Sequence, residues 1–161
     1  MIRMSMLRNT PVIRGEQQIG YFQSVCFDQA RKRVRAFVIS SGMHGKRIVE
    51  AQHIRTITDG FILVNGWSKY HRGHKQQTAL FVRDISGLLV GCVTDYAIDE
   101  ETLEVLAIEM ISAYLPKEIA RRDWMYTYNF MKDSGELCIP SILNNQQYFF
   151  MEGFETCGFP R

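Results

Sequence analysis

Hydrophobic and polar positions follow one another along the chain in short runs, and these runs are rich in β-branched and aromatic residues. Runs of this kind, bounded by turn-forming residues, are typical of β-strands. In the first half of the chain they lie at 11–14, 18–27, 33–40, 47–49 and 61–65. Two short polar segments, 51–54 and 120–124, predict single helical turns, and we expect no long helix before the C-terminal tail. The pattern therefore predicts an all-β protein.

The same pattern occurs twice. Residues 19–28 (IGYFQSVCFD) align without a gap with residues 90–99 (VGCVTDYAID). Continued along the chain, this register pairs Gly20 with Gly91, Asp28 with Asp99, Val34 with Val105, Ala36 with Ala107, Ile48 with Ile119 and Thr56 with Thr127. Upstream, residues 12–14 match residues 80–83 if the second copy carries about two extra residues near Ser86. Self-similarity at a fixed shift indicates a duplication, and we predict two domains.

Two residue types at fixed places in each copy have a structural interpretation. Gly20 and Gly91 lie early in long strands, where a missing side chain permits a bulge or a sharp bend. Asp28 and Asp99 begin the following turn, where a carboxylate accepts hydrogen bonds from backbone N–H groups further along. We interpret all four as barrel-defining structural residues.

The predicted architecture is two tandem small antiparallel β-barrels with short helical turns, since closing a small sheet removes its exposed edges. We assign residues 1–66 to a first, basic barrel and residues 79–143 to a second, acidic barrel. Residues 67–78 are polar and basic and form the predicted linker. Residues 144–161 form a C-terminal tail.

The stretch FVRDISGLLVGCVTDYAID (81–99) resembles the opening of the PRC-barrel family, and VIRGEQQIGYFQSVCFD (12–28) is a weaker version of it. In the weaker version Gly15 stands for the acid at Asp84, and Ser24 for the acid at Asp95. The family includes the cytoplasmic domain of the photosynthetic reaction centre H subunit and the C-terminal domain of a ribosome maturation factor. The resemblance implies a small barrel used for assembly or docking, without catalytic residues.

Charge divides the chain into two unlike halves. Residues 1–78 contain 13 Lys and Arg against 4 Asp and Glu, a net charge of +9, whereas residues 79–161 contain 6 against 13, a net charge of −7. The candidate contacts for a polyanion or an acidic partner are Arg31, Lys32, Arg33, Arg35, Lys46 and Arg47. Trp67 and Tyr70 in the linker are able to stack on unpaired bases. The alternative is that these charges are solvated or face the acidic half.

The tail is dense in aromatic residues, which are rarely left in water. Its candidate packing or partner contacts are Tyr148, Phe149, Phe150 and Phe154. We expect the tail to pack across a barrel or the groove between barrels, and the alternative is contact with a partner or a second copy of the chain.

No catalytic, metal or cofactor site is predicted, because GxSxG, HExxH, P-loop and GxGxxG motifs are absent from the sequence. His44, His53, His71 and His74 lack a cysteine or carboxylate cluster at ligand spacing, and the four cysteines form no CxxC pair. No apolar stretch is long enough to cross a bilayer, so we expect a cytoplasmic protein without membrane insertion.

The leading functional expectation is a non-catalytic assembly or adaptor protein that binds another protein through barrel surfaces. Charge asymmetry would set the orientation and rate of that encounter. The second expectation, from a different class, is an accessory factor in ribosome or RNA maturation that contacts RNA or a ribonucleoprotein through the basic barrel.

Overall fold

Strand formation dominates the computed structural model, which describes residues 1–28, 32–70, 80–112, 122–126, 129–131 and 136–139. Within these ranges the helical segments are three short 3₁₀ turns, at Met4–Leu7, Gly42–His44 and Ala51–His53. The all-β prediction is confirmed, as is the helical turn that begins at Ala51. None of the helices in this part of the chain has the length and apolar character needed to cross a membrane.

The first half forms one seven-stranded sheet. The first strand of the chain, β1 (Ile2–Arg3), belongs to the other sheet. The seven strands of the first sheet are β2 (Pro11–Arg14), β3 (Gln17–Phe27), β4 (Val34–Ser40), β5 (Lys46–Glu50), β6 (Ile54–Ile57), β7 (Ile62–Val64) and β8 (Ser68–Lys69). Their order across the sheet is β6-β7-β2-β3-β4-β5-β8. Neighbouring strands are antiparallel except for β2 and β7, which are parallel. The prediction of a purely antiparallel fold is therefore wrong at this pair, because β7 returns beside β2 after a crossover rather than through a hairpin.

The second half repeats this arrangement. Its strands are β9 (Phe81–Asp84), β10 (Leu89–Ile98), β11 (Val105–Ser112), β12 (Arg122–Met125), β13 (Asn129–Met131) and β14 (Glu136–Ile139), in the order β12-β11-β10-β9-β14-β13. β9 and β14 are the parallel pair, in the position of β2 and β7. Residues 122–124, which the sequence placed in a helical turn, belong to strand β12.

The register of the repeat predicted from the sequence is present in the hydrogen-bonded strands. In β3 and β4, Tyr21 pairs with Ser40, and at the equivalent place Cys92 of β10 pairs with Ile111 of β11. Every residue pair of β3 and β4 recurs in β10 and β11 with the same offset in numbering, and the two bulges fall at equivalent positions. Two sequences with few identities therefore fold into the same hairpin.

Outside this hairpin the offset changes, which corrects the upstream alignment. Val12 pairs with Gly20, and Val82 pairs with Gly91. The segment from Val82 to Gly91 is longer than the segment from Val12 to Gly20 by one position, so the turn of the second half has one extra residue, not two. Arg14, and not Gly15, occupies the position of Asp84.

The downstream alignment also differs from the prediction. Val38 pairs with Ile48, and its counterpart Glu109 pairs with Trp124, so Trp124 and not Ile119 corresponds to Ile48. By the same comparison of β6–β7 with β13–β14, Thr56 corresponds to Asn129 and not to Thr127. A longer connection between β11 and β12 than between β4 and β5 causes the change.

Most of the buried apolar side chains of the two sheets belong to one cluster. Strand alternation turns every second side chain inward, as with Phe22 and Phe37, whose rings meet edge to face with centroids 4.9 Å apart. Val82, Ile108 and Leu137 of the second half are fully buried in the same cluster. Apolar residues of both halves therefore pack together in this cluster.

Equivalent residues of the two halves meet at their junction. The Val34 N–H donates to the Leu103 carbonyl oxygen at 2.9 Å, and the Val105 N–H donates to the Lys32 carbonyl oxygen at 2.8 Å. Val105 is the counterpart of Val34 in the repeat, and Leu103 is the counterpart of Lys32, so an approximate twofold axis relates the two bonds. The rings of Phe27 and Tyr96 pack beside them, with centroids 4.5 Å apart.

The N-terminal residues join both sheets. β1 pairs with β10, with Ile2 opposite Ile98, whereas the Asn9 N–H donates to the Phe22 carbonyl oxygen of the first sheet at 3.0 Å. The first sheet in turn includes β8, whose Ser68 pairs with Ile48. These pairings differ from the sequence-based boundaries, which placed residues 1–66 in the first barrel and residues 67–78 in a linker. Two-residue strands carry too little periodicity to be recognised in a sequence.

Candidate functional site

The predicted basic contacts do not form a single surface. Lys32 and Arg33 lie at the junction of the halves, where the Arg33 Nε donates to the Thr102 carbonyl oxygen at 3.2 Å. Arg35 is the exposed extra residue of a bulge between β3 and β4. Arg31 lies outside the described residues, as do the tail aromatics Tyr148, Phe149, Phe150 and Phe154.

Lys46 and Arg47, by contrast, line a cleft. They share a surface cavity of about 420 Å³ with Trp67, Lys69 and Tyr70. The pairing of β5 with β8 creates this neighbourhood, because it sets Arg47 directly opposite Lys69. Three cations and two aromatic rings from separate parts of the sequence therefore face one cavity, which we call the basic–aromatic cleft.

A stack of two side chains orders the cleft. The Arg47 guanidinium carbon lies 4.0 Å from the centre of the Trp67 ring, a cation–π distance. Arg47 Nη1 also donates to the Ile19 carbonyl oxygen at 3.2 Å, which fixes the guanidinium plane. Trp67 keeps 36% of its surface exposed. The stack is therefore held in place before any ligand arrives.

Backbone contacts hold the segment that carries the two rings. The Asn65 N–H donates to the His53 carbonyl oxygen at 2.9 Å, and the His53 Nδ1 and Asn65 Oδ1 atoms lie 2.9 Å apart. At the other end of the segment, Tyr70 packs on a buried apolar cluster on the outer face of the sheet. The Lys46 Nζ atom lies 5.9 Å from the Tyr70 ring centre. Both ends of the segment are thus anchored.

Cys26 belongs to the cluster beneath Tyr70. Burial raises the pKa of the Cys26 thiol, and the positive charge of Arg35 opposes this only in part. A thiol with a raised pKa stays protonated near neutral pH and is a poor nucleophile. The chemistry of this cysteine is therefore that of a packing residue.

The corresponding face of the second half carries buried charged side chains. Asp95 and Glu109, the counterparts of Ser24 and Val38, are buried at 6% and 3% exposure. The Arg3 Nη2 atom donates to the Glu109 Oε1 atom at 2.5 Å and covers both acids. Sequence analysis missed this cluster, although two acids inside apolar strand runs were a signal for it.

The lining of the cleft is rich in positively charged side chains. Its lining residues, as far as the described ranges extend, are the three cations and the two aromatic residues. No group of three His, Cys, Asp or Glu side chains in these ranges is placed to hold a metal ion. His71 and His74 lie outside the described residues, and nothing is described of the His44 side chain. The cleft offers ion pairing and stacking.

No protein-family model and no curated protein sequence matches this chain.

The turn acids predicted from the sequence bind backbone amides. Asp28 accepts a hydrogen bond from the Lys32 N–H at 2.9 Å. Asp99 accepts from the N–H groups of Thr102 and Glu101, at 2.7 and 2.9 Å, and these bonds lower the pKa of its carboxyl group. In the second half, the bond from the Ser86 hydroxyl to Asp84 is the largest of several that lower the pKa of Asp84.

These shifts predict how stability depends on pH. A carboxyl group whose pKa is lower in the folded than in the unfolded chain stabilises the fold above the unfolded pKa, and this stability is lost as pH falls through the folded pKa. We expect Asp99→Asn to be less stable than the wild type near neutral pH, with the two converging as the pH falls below the usual range of an aspartate. Urea unfolding at a series of pH values measures the difference in free energy of unfolding between the two proteins. Asp59→Asn, at an exposed turn position, is the control. A constant difference between wild type and Asp99→Asn at every pH would contradict the assignment.

Proposed function

We propose that this protein is a non-catalytic binding module, built from two tandem barrels that resemble PRC-barrels, and that it binds single-stranded RNA at the basic–aromatic cleft. RNA contact was the second of the two sequence-based expectations. The geometry of the cleft favours it over docking of a folded protein.

The stack of Arg47 on Trp67, between Lys46 and Lys69, carries the proposal. Proteins that bind single-stranded nucleic acid combine a basic groove, which follows the phosphates, with aromatic rings on which bases stack. Every base has a π-face, so such a platform needs no particular sequence. The cleft provides both elements side by side.

An acidic protein segment is the competing occupant. It would pair with the three cations equally well, but a negatively charged carboxylate does not stack favourably on the electron-rich face of Trp67, part of which is exposed. A polyanion that also carries aromatic rings uses the whole cleft. For this reason we favour nucleic acid as the ligand.

Replacing Trp67 tests the stacking component. We expect Trp67→Ala to weaken binding of a fluorescein-labelled single-stranded oligouridylate by about 1–3 kcal/mol, the usual cost of removing one stacking ring. Fluorescence anisotropy at fixed low salt measures the affinity. The wild type and a Phe61→Ala variant, which removes an exposed aromatic ring outside the cleft, are the controls.

Replacing the lysines tests the phosphate component. Each of Lys46→Gln and Lys69→Gln should reduce the slope of log affinity against log salt by about 0.7, the value for one phosphate contact with a single strand. Arg35→Gln, which removes an exposed charge from the same sheet but not from the cleft, should leave the slope unchanged.

The proposal fails if oligouridylate does not bind, or if Trp67→Ala and Phe61→Ala bind it equally well. An oligoglutamate peptide that binds with the affinity of the oligonucleotide, and that loses it in Lys46→Gln, would instead assign the cleft to an acidic protein partner.

A further inference from the structure

A second cavity of about 590 Å³ lies in the same half of the protein. Its lining is Arg14, Gly15, Gln17, Arg55, Leu63, Val64 and Asn65. It opens widely to solvent and contains two guanidinium groups together with two side-chain amides.

The strand registers bring the two arginines to the same place. β2 runs parallel to β7 and sets Arg14 beside Val64. On the other side of β7, Ile54 pairs with Val64 and Thr56 pairs with Leu63, so Arg55 is the extra residue of a bulge at that point. Arg14 and Arg55 therefore lie on the two strands that flank β7, about 10 Å apart across the sheet at the usual strand spacing.

Neither guanidinium is neutralised. Within the described ranges, Arg14 and Arg55 form no ion pair or side-chain hydrogen bond, and no acidic side chain lines the cavity. Glu16 follows Arg14 in the turn by two positions but forms no ion pair with it. Two like charges facing one cavity repel each other, and a bound anion removes that cost.

The geometry points to a phosphate-binding site: we propose that Arg14 and Arg55 together bind one phosphate oxyanion. Guanidinium groups are suited to this ligand because their paired N–H groups match the spacing of phosphate oxygens. The amides of Gln17 and Asn65 supply further hydrogen-bond donors at the rim.

The site also extends the proposed RNA path, and this second step rests on the proposed function. Asn65 lines the phosphate cavity and Trp67 lines the basic–aromatic cleft. Two residues of extended chain span at most about 7 Å, so the two sites are neighbours. A strand stacked on Trp67 would place a nearby phosphate between the two arginines.

At one of these two positions the second half carries an acid instead of an arginine. The counterpart of Arg14 is Asp84, which is buried and accepts hydrogen bonds from Ser86 and Leu88 in its own turn. An anion is therefore attracted to this position in the first half and repelled from its counterpart in the second.

Titration of the ¹⁵N-labelled full chain with inorganic phosphate, at constant ionic strength set with sodium chloride, tests the site. We expect shifts of the Gly15 and Asn65 amide signals, and a rise in Kd of about tenfold for each of Arg14→Gln and Arg55→Gln. Arg8→Gln, at an exposed position outside the cavity, should keep the affinity of the wild type. Arg14→Lys keeps the charge but not the paired N–H groups, so its affinity should lie in between.

A parallel measurement with oligouridylate separates the two proposals. If Arg14→Gln lowers the affinity for both ligands, the site belongs to the RNA path; if only phosphate binding falls, the site holds free phosphate. Absence of amide shifts at Gly15 and Asn65 on adding phosphate, with RNA affinity unchanged in Arg14→Gln, overturns the inference and leaves the Trp67 result standing. Phosphate binding without RNA binding overturns the proposed function alone.

Discussion

Replacing Arg3 with methionine should lower the free energy of unfolding by about 3–5 kcal/mol, which is the usual cost of removing one partner of a buried ion pair. Arg3 binds Glu109 at 2.5 Å and lies 3.7 Å from Asp95 through its Nε atom. These two acids are directly opposite each other in β10 and β11. Without Arg3, two buried negative charges face one another across the sheet.

The remaining contacts of the acids replace Arg3 only in part. Ser5 donates to Asp95 from its N–H at 3.0 Å, and the Thr94 hydroxyl donates to Glu109 at 2.7 Å. Arg122 approaches Glu109 at 3.8 Å but is 67% exposed, so solvent screens its charge. The contact of the Arg3 guanidinium with the Trp124 ring is lost as well; the guanidinium carbon lies 4.8 Å from the ring centre.

The first half of the chain suggests the rescue. At the positions of Asp95 and Glu109 it carries Ser24 and Val38, which need no counter-charge. We expect Asp95→Ser combined with Glu109→Val to restore most of the stability lost in Arg3→Met. Replacing a buried ion-pair cluster with well-packed residues is often neutral.

Urea unfolding monitored by circular dichroism measures these variants, with Arg8→Met as the matched control on the same segment. Arg8 is exposed, and its replacement should change the stability by less than about 0.5 kcal/mol. Equal stabilities of Arg3→Met and Arg8→Met would show that the cluster does not hold the N-terminal segment on the second sheet.

Gly91→Ala should destabilise the protein by about 3 kcal/mol, because an added Cβ atom has no room at this position. The Cβ atom would lie 2.3 Å from the Ile111 carbonyl oxygen, which is backbone and cannot rotate away. At the equivalent Gly20 the distance to the Ser40 carbonyl oxygen is 2.2 Å, so Gly20→Ala should behave alike. Both glycines let two bulged strands approach closely.

Thermal unfolding gives the readout. A loss of about 3 kcal/mol corresponds to a fall in Tm of about 6–12 °C for a chain of this length. Gly60→Ala is the control, since no atom lies within 4 Å of its added Cβ. If all three variants have the same Tm, the neighbouring strands can separate at the bulges without cost. The glycines are then not required for the close approach of the two strands.

Much of the fold is encoded locally. The runs at 11–14, 18–27 and 33–40 predict β2, β3 and β4 to within one residue. The apolar rhythm, the glycine and the turn acid are all short-range signals, and each copy carries them in the same order. The hairpin built from them is accordingly the part of the repeat that the alignment predicted without a gap.

Prediction fails where pairing joins distant segments. Residues 2–3 pair with β10 and residues 68–69 with β5, and nothing in two residues specifies a partner so far along the chain. The predicted alignment of the two copies is wrong beyond β11 for a related reason. The connection between β11 and β12 is longer than its counterpart, which changes the residue count without changing the apolar pattern.

The sequence by itself determined the strands of the first hairpin, the repetition of its pattern and the division of charge, because these depend on residue type and local spacing. Only the tertiary structure decided that Lys46 and Arg47 face Trp67, that Arg14 and Arg55 share a cavity, and that Arg3 neutralises two acids of the other half. Each of these arrangements depends on which strands become neighbours, a choice made by burial of the whole core and by backbone pairing, to which single side chains contribute little.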